Sequence, residues 1–393
     1  MTQPDGSPPP RSPALARSSA SEIPLVDLKA AYARHRDGID AAMRAVIENT
    51  RFIQGQEVGE FERDFARFCG ATHAVGVGSG TAALHVVLDA LGVGPGDEVA
   101  VPSHTFIATA EPVTWLGARP RFVEVEPETG CLDPIALKSA IDGVKAVIPV
   151  HLYGRPADMS AISSIAADAG VPVIEDAAQA HGADVTGPDG TRRAGTLALA
   201  ACFSFYPGKN LGAFGDAGAI TTDNDDLAHR LRMLRDHGRT SKYEHEMVGH
   251  AHRLDTLQAA VLAVKLTTLA EDNERRRALA AAYSAALAGV GDLVPPAETP
   301  DRRGVFHLYV LRTHHRDALL AHLQARGIGA GVHYPIPVHL QPAYASLGYR
   351  EGSLPVTEAW ARQCLSLPLY PELTEEQQGR IVAAVRSYFE SAA

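Results

Sequence analysis

Between Glu98 and Phe205 short apolar runs alternate with segments at helical spacing, and no other feature limits the fold so tightly. The runs are Glu98 to Val101, Phe122 to Val125, Ala146 to Leu152, Val171 to Ile174 and Leu199 to Phe205, with helices expected at Pro134 to Ile141 and Met159 to Ala169. Strands that are apolar on both faces and separated by helices belong in a mainly parallel sheet covered on both sides. The expectation is therefore an α/β fold whose ligands collect beyond the carboxyl ends of its strands.

Upstream, Val58, Phe61, Phe65 and Phe68 recur at helical spacing and should pack inward. Thr81 to Leu91 follows a Gly-Ser-Gly turn and is closed by Gly92, which predicts a helix with that turn at its N-terminus. Downstream, Asp255 to Thr268 and the charged continuation Glu271 to Arg277 read as one long helix leaving the first domain. Strand and helix patterns resume at His307 to Thr313, Ala318 to Arg326 and Gly331 to Tyr334, which predicts a smaller α+β C-terminal domain.

A chain of 393 residues with 46% hydrophobic content can bury two such cores. We divide it into a tail, 1–21, a large domain, 22–265, and a small domain, 266–393. The tail is rich in Pro, Ser and Gly, lacks the apolar core of a signal peptide and is expected to be disordered. No later run is apolar enough to cross a bilayer, so no membrane association is expected. The formal charge of −10 argues against a nucleic-acid surface. Cys69, Cys131, Cys202 and Cys364 show no CxxC spacing and read as buried thiols of a cytoplasmic protein.

Three segments end strands or open helices with polar residues that a core would not choose. In Gly78-Ser79-Gly80-Thr81-Ala82, a glycine turn at a helix start offers backbone N–H groups and a positive dipole end to an anion such as phosphate. It is equally an ordinary N-cap. In Glu175-Asp176-Ala177-Ala178-Gln179 the apolar strand before it delivers Asp176 to the sheet edge, where an acid can cap a helix, bind a metal or pair with a cationic ring nitrogen. In Ser204-Phe205-Tyr206-Pro207-Gly208-Lys209 a Pro-Gly turn can aim an amine back over the same edge, although most lysines are simply solvated. Together, an anion cradle, an acid and a lysine are what the phosphate, pyridinium nitrogen and aldehyde of pyridoxal 5'-phosphate (PLP) need.

At these residues the chain resembles the DegT/DnrJ/EryC1/StrS sugar aminotransferases, a branch of the fold-type I PLP enzymes. The matching segments also include Gly96 to Val99, Thr105 to Thr109, Ala180-His181-Gly182, the stretch to Gly218, Arg253-Leu254-Asp255, Gln258 to Ala260 and His333-Tyr334-Pro335. The resemblance implies a large domain with a mainly parallel seven-stranded sheet. It makes Lys209 the Schiff-base lysine and Asp176 the partner of the ring nitrogen. Gln179 is implied near the ring hydroxyl, Gly80, Thr81 and Ser204 at the phosphate, and Phe106 on the ring. His333, Tyr334 and His339 are implied to line the sugar pocket; a zinc site, the rival reading of these histidines, lacks a nearby cysteine or acid in the sequence, and no metal is expected.

The resemblance further implies a homodimer with shared active sites, which amminates a sugar at the expense of glutamate, giving 2-oxoglutarate. Its substrate would be a dTDP-linked keto-6-deoxyhexose, aminated at C3 for an antibiotic or other aminosugar. The segment His333 to Leu340 resembles that of enzymes that aminate C3 more than that of enzymes that aminate C4. The alternatives are amination at C4, amination of a cyclitol such as an inosose, a PLP-dependent dehydratase, and a non-catalytic PLP-binding regulator. The dehydratases carry histidine at the lysine position, so Lys209 favours amine transfer. An asparagine common two residues before Arg253, which reaches the partner's phosphate, is Ala251 here, between His250 and His252, where a neighbouring histidine or Arg253 could replace it, and Ala217 stands in place of a common glycine.

Overall fold

The structure is a computed structural model that describes residues 22–188 and 190–392. The expected disordered tail lies outside the described residues.

Four strands are ordered His73–Val77, Gly218–Thr222, Ala200–Ser204 and Ile174–Asp176, and three are ordered Arg119–Val123, Glu98–Pro102 and Ala146–Val147. Parallel bridges from Val147 to Val173 and from Val150 to Asp176 join the two groups into one seven-stranded sheet. Only Gly218–Thr222 runs against its neighbours; every other pairing is parallel. The mainly parallel α/β sheet expected from the sequence is therefore present.

Alternation along the strands separates the two faces. Val75, Ala200, Cys202 and Ile220 pack beneath the helices Gly80–Ala90 and Asp225–Leu234. Ala74, Ala201, Phe203 and Ala219 pack on the opposite side against the helices Gln56–Cys69 and Thr256–Leu266. Phe61 and Phe65 belong to this second layer, edge-on to Phe205, as their spacing predicts. The helices Pro134–Ala140 and Met159–Ala169 also form close to where the sequence places them.

The expected long helix is two helices, Thr256–Leu266 and Leu269–Leu287. The first ends in a turn where the Thr268 N–H donates to the Lys265 carbonyl at 3.3 Å, so the chain changes direction. The C-terminal layer is the antiparallel pair Tyr309–Arg312 and Cys364–Leu367, flanked by Leu269–Leu287, Arg316–Gln324 and Glu375–Ala392. Gly331 to Tyr334 is not a strand; Gly331 alone bridges to Ser366. Ile23 bridges Ile328 and is buried in this layer's core with Leu319 and Leu365.

Candidate active site

The carboxyl ends of three parallel strands meet one helix start. Asp176 closes Ile174–Asp176, Ser204 closes Ala200–Ser204, and Gly78-Ser79 leads from His73–Val77 into the helix Gly80–Ala90.

Ser79 caps this helix by accepting the Ala82 N–H at 3.0 Å. The N–H groups of Gly80 and Thr81 have no acceptor inside the helix, because the first turn never does. A side chain at Gly80 would put its Cβ 2.7 Å from the Cβ of Ser204, and one at Gly218 would lie 2.4 Å from the Ser79 carbonyl oxygen. Glycine at both positions lets helix start and strand end close into one cradle. The expected phosphate residues Gly80, Thr81 and Ser204 are thus adjacent.

Asp176 is buried, with 6% of its surface exposed. Thr109 Oγ1 donates to its Oδ2 at 2.8 Å and the Ala178 N–H to its Oδ1 at 3.2 Å. Burial raises its proton affinity above the usual carboxylate range, against the opposing pull of Thr109, Ala178 and the nearby Lys209 and His151. Lys209 shows the complementary effect: burial pulls its amine down to about 8, and the Asp176 charge resists. The loop that carries it is folded tightly on itself. The Lys209 N–H donates to the Tyr206 carbonyl, Ala213 N–H reaches Phe205, and a Cβ at Gly212 would strike the Pro207 carbonyl at 2.2 Å. Next to it Asn210 Nδ2 is tied at 3.1 Å to both Asn273 Oδ1 and the Val305 carbonyl.

Gln179 Oε1 accepts the Tyr153 N–H at 2.6 Å, and its Nε2 donates to Tyr334 Oη at 3.3 Å. The half-exposed Phe106 ring lies 5.5 Å from that of Tyr334, and His333 is near enough to Lys209 that the amine adds to the burial that lowers His333 to about 4. His339 is not part of this group. It is 1% exposed, its Nδ1 pairs with Ser103 Oγ at 2.6 Å, and its Nε2 faces Glu358 Oε1 at 3.3 Å, so both ring nitrogens are engaged within the fold.

Sequence reasoning missed three residues that shape the site. Thr109 holds Asp176. His181 Nε2 donates to the Ser204 carbonyl at 2.9 Å, and burial drags the ring to about 3, so it is neutral. Its Nδ1 is buried without a partner. Asn210 anchors the lysine loop. All three lie inside segments that carry the family resemblance, Thr105 to Thr109, Ala180 to Gly182 and the stretch to Gly218, and that was the available signal.

The donor set fits PLP. A buried carboxylate of raised proton affinity gains from a cationic nitrogen, an amine of lowered pKa is a ready nucleophile, and two helix-start N–H groups face a serine hydroxyl across a glycine gap. A cavity of about 1150 Å³ lies elsewhere, lined by Tyr153, Arg277, Pro295 and Trp360 among others and by none of Lys209, Asp176 or Gln179.

Residues 34–386 match the model of the DegT/DnrJ/EryC1/StrS aminotransferase family. A dTDP-3-amino-3,4,6-trideoxy-alpha-D-glucose transaminase of Streptomyces venezuelae is 49% identical over 376 residues, covering 95% of this chain and 98% of that one. The crystal structure of S. venezuelae DesV in complex with a ketimine intermediate superposes with a TM-score of 0.91 at 50% identity, covering 94% of this chain and 99% of that one. The crystal structure of NtdA from Bacillus subtilis with bound cofactor PMP gives a TM-score of 0.86 at 30% identity, over 95% and 86% of the two chains.

Proposed function

The chain belongs to the DegT/DnrJ/EryC1/StrS aminotransferase family, and on that footing we propose that it transfers an amino group from glutamate to C3 of a dTDP-linked keto-6-deoxyhexose. The chemistry is carried by one observation: at the carboxyl edge of the sheet the buried Asp176 and the partly buried Lys209 lie close enough for each to shift the other's ionisation. The substrate rests on the 49% identity to the S. venezuelae transaminase, whose name places the amino group at C3.

PLP, when bound, supplies an electron-accepting ring and a carbonyl that carries the amino group between substrates. Lys209 Nζ would hold its aldehyde carbon, Asp176 its ring nitrogen, and Gly80, Thr81 and Ser204 its phosphate, with Phe106 and Gln179 against the ring. Asp176 holds a negative charge where burial disfavours it, so a protonated nitrogen against it relieves that cost. An ordinary lysine keeps its proton at neutral pH; one near 8 gives up a useful fraction. Lys209 Nζ can therefore take a proton from the substrate carbon and return it nearby. His333 and Tyr334 border the space where the sugar would lie.

A homodimer in the cytoplasm completes this reading. All four cysteines are free and buried, as in a reducing compartment, and no helix among the described residues is long and apolar enough to cross a membrane. Ala251 is exposed but too short to replace an asparagine; Arg253 Nη1 donates to Asp236 Oδ1 at 2.7 Å, while its Nε has no partner among the described residues. The test is to supply glutamate with a 3-keto and a 4-keto dTDP-6-deoxyhexose and identify the products by mass spectrometry and NMR. Amination of the 3-keto sugar with release of 2-oxoglutarate is expected; turnover of the 4-keto sugar alone overturns the assignment.

A further inference from the structure

His85, His250 and His252 lie outside the machinery described above, yet they converge. A ring nitrogen from each falls within 4.8 Å of the others, and His85 Nδ1 is 3.2 Å from His252 Nε2. Their ring centroids are 4.5, 5.4 and 5.2 Å apart. In tetrahedral zinc coordination, Zn–N bonds of about 2.0–2.1 Å place ligand nitrogens roughly 3.4 Å from one another. One pair is already at that separation.

We propose that His85, His250 and His252 form a zinc site that pins the helix Gly80–Ala90 to the segment running into Arg253. The inference departs from the sequence reading, which expects no metal.

The surroundings are those of a held site rather than a chance cluster. The segment is strand-like: His237 N–H donates to the His250 carbonyl at 2.8 Å, His252 N–H to the Arg235 carbonyl at 2.9 Å, and Gly78 N–H to the His252 carbonyl at 3.0 Å. Alternation sends His250 and His252 to one side, toward His85, and Ala251 outward. Asp89, one helical turn after His85, has its Oδ2 2.7 Å from His250 Nε2. A carboxylate that takes a histidine's outer N–H fixes its tautomer and leaves the other nitrogen for a metal. All three rings are only partly buried, so water or another ligand can reach a fourth position. The pin joins the helix whose first turn forms the cradle to the strand that accepts the Gly78 N–H.

The experiment uses full-length, tag-free protein stripped of metal and then given zinc chloride. The wild type should retain one zinc per chain through gel filtration and unfold several degrees higher with zinc than without. His85→Gln and His250→Ala should each lose both effects while keeping the wild-type circular dichroism, and Asp89→Asn should bind zinc about 10–100-fold more weakly. Cobalt(II) in the wild type should give the intense visible bands of a four-coordinate nitrogen site. No zinc retained by the wild type, zinc retained equally by folded His85→Gln or His250→Ala, or only the weak cobalt bands of octahedral coordination overturns the proposal.

Discussion

Glu175 and Asp176 are neighbours on one strand, both buried, and they point to opposite faces with opposite consequences. Glu175 is saturated by structure. Ala157 N–H donates to His151 Nδ1, so His151 Nε2 carries the proton and donates to Glu175 Oε2 at 2.9 Å; the Gly195 and Leu197 N–H groups add bonds at 2.9 and 2.7 Å. Asp176 receives one donor on each oxygen and faces the charge of Lys209. A carboxylate has about four acceptor sites, so Glu175 is largely spent inside the fold while Asp176 keeps capacity for a ligand. The same residue chemistry, turned over by one position in a strand, serves stability on one face and function on the other.

Four substitutions and one titration sharpen or break that contrast. The largest effect is expected at Lys209→Ala, which should cut transfer by roughly 10²–10⁴-fold in steady-state assays and leave thermal unfolding near the wild type. Next, Glu175→Ala strands His151 Nε2 and two backbone N–H groups, so chemical denaturation should show a loss of about 3–5 kcal/mol, at about 1–3 kcal/mol for each stranded donor. Asp176→Asn should instead reduce turnover by about tenfold or more while unfolding is unchanged or later, because burial penalises the charge that the amide removes. Equal losses of stability in the two variants would remove the distinction.

The pH dependence follows from Lys209. Its amine is lowered from 10.5 to about 8 in the folded chain, so between these values the unfolded chain holds more protons and the cofactor-free protein should gain stability as pH rises from about 8. The rate of PLP capture should rise over the same region with a midpoint near 8. Since Asp176 supports the charged amine, Asp176→Asn should move that midpoint down. The smallest effect is expected at Gly80→Ala: PLP affinity should fall by roughly tenfold, measured by fluorescence titration, as the cradle opens to admit a Cβ against Ser204.

Much of this was legible in the sequence because buried parallel strands are continuous apolar runs, and polar residues at their ends stand out. Asp176, Ser204 and Lys209 were found that way. The helix Leu28–Asn49 was not, because the side that carries Tyr32, Ile39, Met43 and Val46 is interrupted by the polar His35 and Arg36 and buries only Ile39 and Val46. The strands His73–Val77 and Gly218–Thr222 are five residues each and rich in Ala, Gly and Thr, too short and mixed to signal burial. Thr109 on Asp176 spans 67 positions and the His85–His252 contact 167, so only folding brings them together. His339 was expected beside the sugar, but Glu358 and Ser103, distant in sequence, hold it in the core.

The account depends most on Lys209 and Asp176 acting on one cofactor, and the visible absorbance of purified protein tests that directly. Wild-type protein given PLP should develop the absorbance of a lysine-linked cofactor, lose it on addition of glutamate and regain it with a keto sugar. Lys209→Ala should never develop it. A wild type that binds no PLP, or a Lys209→Ala protein with the same band, would contradict the assignment.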